Sequence, residues 1–245
     1  MIDYKKQIAE AVEHFWKVRT SQYAKQTSSA DKTDTGLRGA VTGGKHLDGF
    51  IDLLADILSE AGLPDSTICK KSTTLPGYFR PTKDWDLVVA ADDQLVASIE
   101  FKAHVGPSFG NNFNNRIEEA LGSSLDLLTA YREGKFKPSA KPWLGWLMLL
   151  EETNRSTSPV KVLEPHFEVF EEFKEASYGK RYEVFCERLL RERMYDGACL
   201  ILTDRDGGLK GQYKEPNDEL AFIRFATSLS AHATAFAKSR KIINK

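Results

Sequence analysis

Trp143 to Leu150 is a run of eight residues without a charge (Trp-Leu-Gly-Trp-Leu-Met-Leu-Leu). A membrane-spanning helix needs about 20 apolar residues, so this run has the length of a strand and not of a bilayer span. A strand that is apolar at every position is buried on both faces, which requires a sheet with helices packed on both sides. Ala198 to Thr203 is a second such run. Helical periodicity surrounds them. It appears over 4–24 (Ile8, Val12, Phe15, Trp16), over 47–61 (closed by Gly62 and Pro64), over 115–132, 182–195 and 219–238. In 115–132 the spacing predicts that Ile117, Leu121, Leu125, Leu128 and Tyr131 face inward. With no repeats and no linker, the expected fold class is α/β. One domain would span 1–245, with a mixed central β-sheet flanked by helices, its core at about 46–150 and recognition or dimerisation elements in 1–45 and 151–245.

Of the 245 residues, 41% are hydrophobic and 28% charged, which excludes wholesale disorder. The net charge of −1 excludes a surface that is basic all over, but not basic residues gathered on one face. Cys69, Cys186 and Cys199 are odd in number and widely spaced, as suits reduced thiols, and no CxxC pair suggests zinc. The polar start reads as no signal peptide, so a cytoplasmic protein with no membrane partner is expected. The polar stretch 26–45 reads as a loop.

From residue 67 the period shifts from helical to extended. Strands are expected over 67–75, 84–90 and 95–102, the last two joined by Asp92-Asp93-Gln94. In 95–102 the period of two puts Glu100 and Lys102 on one face and Ala97, Ile99 and Phe101 on the other, in a core. If Ala91 opposes Leu95, Asp86 falls opposite Glu100 on the same face, with Cβ atoms roughly 5 Å apart. A two-residue loop alone would pair Asp86 with Ile99. The juxtaposition therefore demands an odd-length loop or a bulge.

Two carboxylates this close raise each other's pKa unless a cation lies between them. Mg²⁺ is the natural one, because it takes hard oxygen ligands and keeps several waters. A water so activated can attack phosphorus while Lys102 orients it or stabilises the developing oxyanion. The spacing D-x13-E-x-K is also common by chance, and a solvated Glu–Lys strand pair would look the same.

At these residues the chain resembles the PD-(D/E)xK nuclease superfamily. Asp86, Glu100 and Lys102 stand in the D, E and K positions, and Trp85 stands where proline is often found. Longer segments are similar to the XhoI family of type II restriction endonucleases: Leu75-Pro76-Gly77-Tyr78-Phe79-Arg80-Pro81-Thr82-Lys83, Thr42-Gly43-Gly44-Lys45, Asp48-Gly49-Phe50, Ala130-Tyr131-Arg132-Glu133-Gly134 and the asparagine-rich stretch from Val105 to Arg116. The similarity runs over essentially the whole chain. It implies a restriction endonuclease-like core and a prokaryotic Mg²⁺-dependent homodimer that cuts both strands of the palindrome CTCGAG, leaving 5′ overhangs and 5′-phosphates. Asp86, Glu100 and the Phe101 carbonyl would hold the metal, with Asp86, Glu100 and Lys102 carrying catalysis. Two other readings stay open: a repair or recombination nuclease of the same fold, and a catalytically idle DNA-binding module.

For contact with double-stranded DNA the candidates are Lys45, Asn112, Asn114, Asn115 and Arg116, since amides and helix N-termini suit phosphates and Asn or Arg can read purines. The asparagines would serve equally as turn and cap residues. Asp48 is a candidate third acidic group; Asp52, one turn on, is an ordinary surface residue. Arg38 and His46 flank the glycine-rich stretch as a possible phosphate clamp or plain loop. The segment from Asp204 to Lys210 leaves a buried strand either as a base-reading turn or as a plain hairpin. His104, Trp143 and Trp146 read as structural.

Overall fold

A computed structural model describes residues 3–28 and 45–243. Arg38 and the 29–44 part of the polar stretch lie outside the described residues. The chain opens with α1 (Tyr4–Ser28), then a 3-10 turn (Lys45–Leu47) running into α2 (Asp48–Glu60). The β-rich middle holds β1 (Ile68–Cys69), β2 (Thr74–Pro76), β3 (Thr82–Asp84), β4 (Leu87–Ala91) and β5 (Gln94–His104). It is followed by α3 (Phe109–Arg132), β6 (Trp143–Glu151), α4 (Asn154–Thr157), α5 (Tyr178–Arg191), β7 (Gly197–Thr203), α6 (Arg205–Gly208) and α7 (Phe222–Ile243). Among the described residues no helix is long and apolar enough to cross a membrane.

The main sheet has the order β1-β4-β5-β6-β7. β1, β4 and β5 are antiparallel to their neighbours, while β5, β6 and β7 run parallel, so the expected mixed sheet is present. The apolar runs behave as two-faced strands. On β6, Trp143, Leu147 and Leu149 pack with α1, α2 and α7, whereas Leu144, Trp146, Met148 and Leu150 pack with α3 and α5. Trp143 and Trp146 are therefore core residues.

Several expectations shift. The 67–75 strand is broken into β1 and β2, because Lys70, Lys71 and Ser72 interrupt the apolar pattern. β2 pairs instead with β3 as a separate hairpin. α3 begins at Phe109, not at residue 115, because Phe109 and Phe113, one turn apart, pack on the rings of His104, Tyr178 and Tyr182. The asparagines thus sit in helical turns, not in a loop. The inward face of α3 is Phe109, Phe113, Ala120, Ser123, Ser124, Leu127 and Ala130, leaving Leu121 and Leu125 exposed.

The loop between β4 and β5 is a two-residue turn with Ala91 opposite Gln94, and both Asp92 and Asp93 have positive φ. The register then shifts: Ala90 faces Leu95, but Val89 faces Ala97. Val96 is the extra residue of a β-bulge. Val96 and Ala97, adjacent in sequence, both reach the same core, which is the signature of that insertion. Beyond it Leu87 faces Ile99, which carries Asp86 to the level of Glu100.

Candidate functional site

Asp86 lies at the entrance to β4. Its N–H donates to the Ile99 carbonyl (3.2 Å), and its Oδ2 accepts from the Phe101 N–H (2.7 Å). The second bond ties the carboxylate to the strand that carries Glu100. Ile99 and Phe101 point into the core under α1, α2 and α7, so Glu100 projects from the opposite face, almost wholly buried. Lys102 shares that face, as the period of two requires, and its ammonium contacts Glu100 Oε1.

A residue that the spacing argument missed completes the cluster. Lys83 Nζ donates to Glu100 Oε2 at 2.7 Å and lies 4.7 Å from the Trp85 ring centroid. Both oxygens of Glu100 are therefore held by ammonium groups. Strand alternation over Lys83-Asp84-Trp85-Asp86 sets Lys83 on the side opposite Asp86, so only the break between β3 and β4 brings it to Glu100, and no local pattern signals it.

The electrostatics are those of a site short of positive charge at Asp86. Burial pushes its pKa up, the Glu100 carboxylate adds to this, and Lys102, the Phe101 N–H and Lys83 oppose it; the result is about 6. Two acidic side chains on one face suit a hard cation with oxygen ligands. Among the described residues no cluster of three or more His, Cys, Asp or Glu forms, so water would have to complete any metal's coordination.

Asp48 is exposed at the start of α2, on the side of the sheet away from Glu100, and Asp52 is paired with Lys70 at 2.7 Å. Neither joins Asp86 and Glu100. Lys45 is exposed in the turn before α2, where its carbonyl oxygen lies 2.9 Å from His14 Nε2. His46 is buried against Phe15. Asn114 and Asn115 are exposed, while Asn112 and Arg116 are half-buried. The Arg116 guanidinium pairs with Glu119. Asp204 accepts from the Gly207 N–H (2.8 Å) and so caps α6. His104 is buried with Nδ1 2.7 Å from the Tyr182 hydroxyl, a structural role as expected.

A further group frames the site. Asp126, buried on α3, accepts from the N–H groups of Tyr78 (2.8 Å) and Phe79 (2.7 Å) and from Arg80 Nε (2.8 Å). It thereby fixes the tip of the β2–β3 hairpin whose other end carries Lys83. A Cβ on Gly77 would collide with the Asp126 carboxylate, so this turn admits only glycine. The pattern Leu-Pro-Gly-Tyr-Phe-Arg-Pro marked a turn, but its carboxylate partner 46 to 48 residues on carried no local signal.

The family model described as restriction endonuclease XhoI matches residues 25–215 of this chain. The type II restriction enzyme BstVI of Geobacillus stearothermophilus is 54% identical over 214 residues, covering 85% of this chain and 96% of the relative. The type II restriction enzyme XhoI of Xanthomonas vasicola is 45% identical, over 78% of this chain and 77% of its own length. AbrI of Azospirillum brasilense, also a type II restriction enzyme, is 49% identical over 68% of this chain and 75% of its own. No solved structure gives a match. With a family match over most of its length, and with relatives of this identity, the chain belongs to the XhoI family of type II restriction endonucleases.

Proposed function

We propose that the protein acts as a homodimer on double-stranded DNA, cutting each strand of the palindrome CTCGAG in a Mg²⁺-dependent reaction centred on Asp86, Glu100 and Lys102. The observation that carries the reading is the bulge at Val96. Without it the two-residue turn would set Asp86 against Ile99; with it, both carboxylates share one face beside two lysines. An irregularity that gathers charges on a sheet is costly to stability and is best explained by chemistry.

Asp86 and Glu100 would hold the metal with the Phe101 carbonyl. The N–H and C=O of a strand residue leave on the same edge, and the Phe101 N–H already reaches Asp86. Mg²⁺ bound there supplies a Lewis acid that offsets charge growing on the phosphate and acidifies water. Lys102 would turn from Glu100 toward the scissile phosphate, orienting the attacking water and stabilising the added negative charge. Lys83 would keep the Glu100 carboxylate directed as Lys102 moves. Asn112, Asn114, Asn115 and Arg116, in the first turns of α3, and Lys45 would contact DNA. The palindrome itself comes from the family likeness.

The test is digestion of a plasmid with a single CTCGAG site. Discrete linear product in Mg²⁺ and none in EDTA is expected. Glu100→Ala should abolish cleavage while leaving gel-shift binding to a CTCGAG duplex. Cleavage by that variant at the parent rate, or smeared products from the parent, would overturn the reading.

A further inference from the structure

The exposed side of α3 carries two leucines in its middle turns where a solvated helix would be polar. Leu125 is 49% exposed and Leu121 is 38% exposed, and a Cβ built on Gly122 between them would meet nothing within 4 Å. Glu118 and Arg132 are also exposed and bracket this patch. At 100° per residue, Glu118, Leu121, Gly122, Leu125, Thr129 and Arg132 fall in one stripe.

We infer that this stripe of α3 is the dimer interface and that its occupant is the same stripe of a second copy, packed antiparallel about a two-fold axis at Leu125. The charge pattern selects this arrangement. A two-fold at Leu125 sets Glu118 opposite Arg132 of the second copy and Arg132 opposite Glu118, and it sets Leu121 opposite Thr129. A parallel pairing would instead place glutamate on glutamate and arginine on arginine. The patch is thus complementary to itself in one orientation, the requirement for an isologous contact. Gly122 opens the room for helix axes to approach to about 8–10 Å. The overlap runs from Glu118 to Arg132, so the first turns of α3, with Asn111 to Arg116, project beyond it. Two copies of the proposed DNA-contacting turns would then lie at opposite ends of one helix pair.

This inference rests on the homodimer proposed above, and sedimentation separates the two. The parent is expected to be a dimer at micromolar concentration. Leu125→Arg, at an exposed position that leaves the core intact, should raise the dimer dissociation constant by at least about 100-fold with an unchanged far-ultraviolet dichroism spectrum. Glu118→Arg and Arg132→Glu should each raise it by about 10-fold, and the double variant Glu118→Arg/Arg132→Glu should return to within about 3-fold of the parent. A monomeric parent would overturn both the homodimer and this surface. A dimer indifferent to Leu125→Arg, or a double variant weaker than either single one, would overturn this surface alone.

Discussion

Asp86 stands level with Glu100 because Val96 bulges out of the β4–β5 ladder. The turn Asp92-Asp93 fixes one register near the loop, and the bulge changes it by one residue before the strands reach the carboxylates. A one-residue slip moves every side chain to the other face. Deleting Val96 removes the extra residue but keeps Ala90 opposite Leu95 and Val89 opposite Ala97, so Asp86 should stay level with Glu100 in a regular hairpin. The expected outcome is a folded protein with native-like dichroism and plasmid cleavage close to that of the parent. Cleavage lost on this deletion would show that the bulge does more than set the register.

Lys83 and Lys102 divide the Glu100 carboxylate between them, and all three side chains are mostly shielded from water. Removing one partner of a buried pair leaves charge uncompensated, which is costly, although the second lysine moderates the loss. Lys83→Ala should lower stability in EDTA by about 1–3 kcal/mol. Mg²⁺ should restore more stability to this variant than to the parent, because a cation takes over the position of the lost ammonium. Thermal melts of both proteins with and without Mg²⁺ check this; equal shifts would place Lys83 outside the metal's influence.

Much of this was legible in the sequence, and the reasons differ by element. Trp143 to Leu150 announced an interior strand because an uncharged run leaves few alternatives. Glu100 and Lys102 on one face followed from strand periodicity alone. The need for a bulge could be deduced, but its position could not, since Val96 and Ala97 are both plausible in a regular strand. The leucines of α3 misled for a physical reason: Leu121 and Leu125 keep helical spacing, yet Ser123, Ser124 and Asp126 are the residues buried. There the helix turns polar groups inward, where partners wait: the Ser124 hydroxyl donates to the Met194 carbonyl (2.5 Å), and Asp126 receives the hairpin tip. Those partners are distant in sequence, so no local pattern reveals them.

Asp126 is the strongest case of such a long-range anchor. Burial pushes its pKa up, but the Arg80 guanidinium and the N–H groups of Phe79 and Tyr78 outweigh this and hold it below the usual carboxylate value. Asp126→Ala would remove the acceptor for three donors on the hairpin tip. The expected cost is about 2–4 kcal/mol in urea unfolding, from lost charge-assisted hydrogen bonds and half-buried N–H groups left without a partner. Cleavage should fall as well, because the hairpin positions Lys83. A variant as stable as the parent would mean that the tip finds other acceptors.

His104 and His46 should make the protein sensitive to mild acid. Burial pushes both down to about 4. Arg116 adds to the effect at His104, where the Ser108 carbonyl opposes it; Arg19 and His14 add to it at His46. A histidine whose folded pKa lies below the unfolded value of 6.5 contributes stability that is present above 6.5 and lost as pH falls toward 4. One pKa unit corresponds to about 1.4 kcal/mol, so each histidine is expected to lose up to about 3 kcal/mol across that window. Asp86, raised to about 6, gains stability on protonation in the same window and offsets part of this, so the melting temperature of the parent should fall between pH 6.5 and 4.5 by less than the two histidines alone would give. His104→Leu should start lower at pH 8, because the Tyr182 hydroxyl loses its partner, but descend less steeply. Parallel curves for parent and variant would locate the acid sensitivity elsewhere.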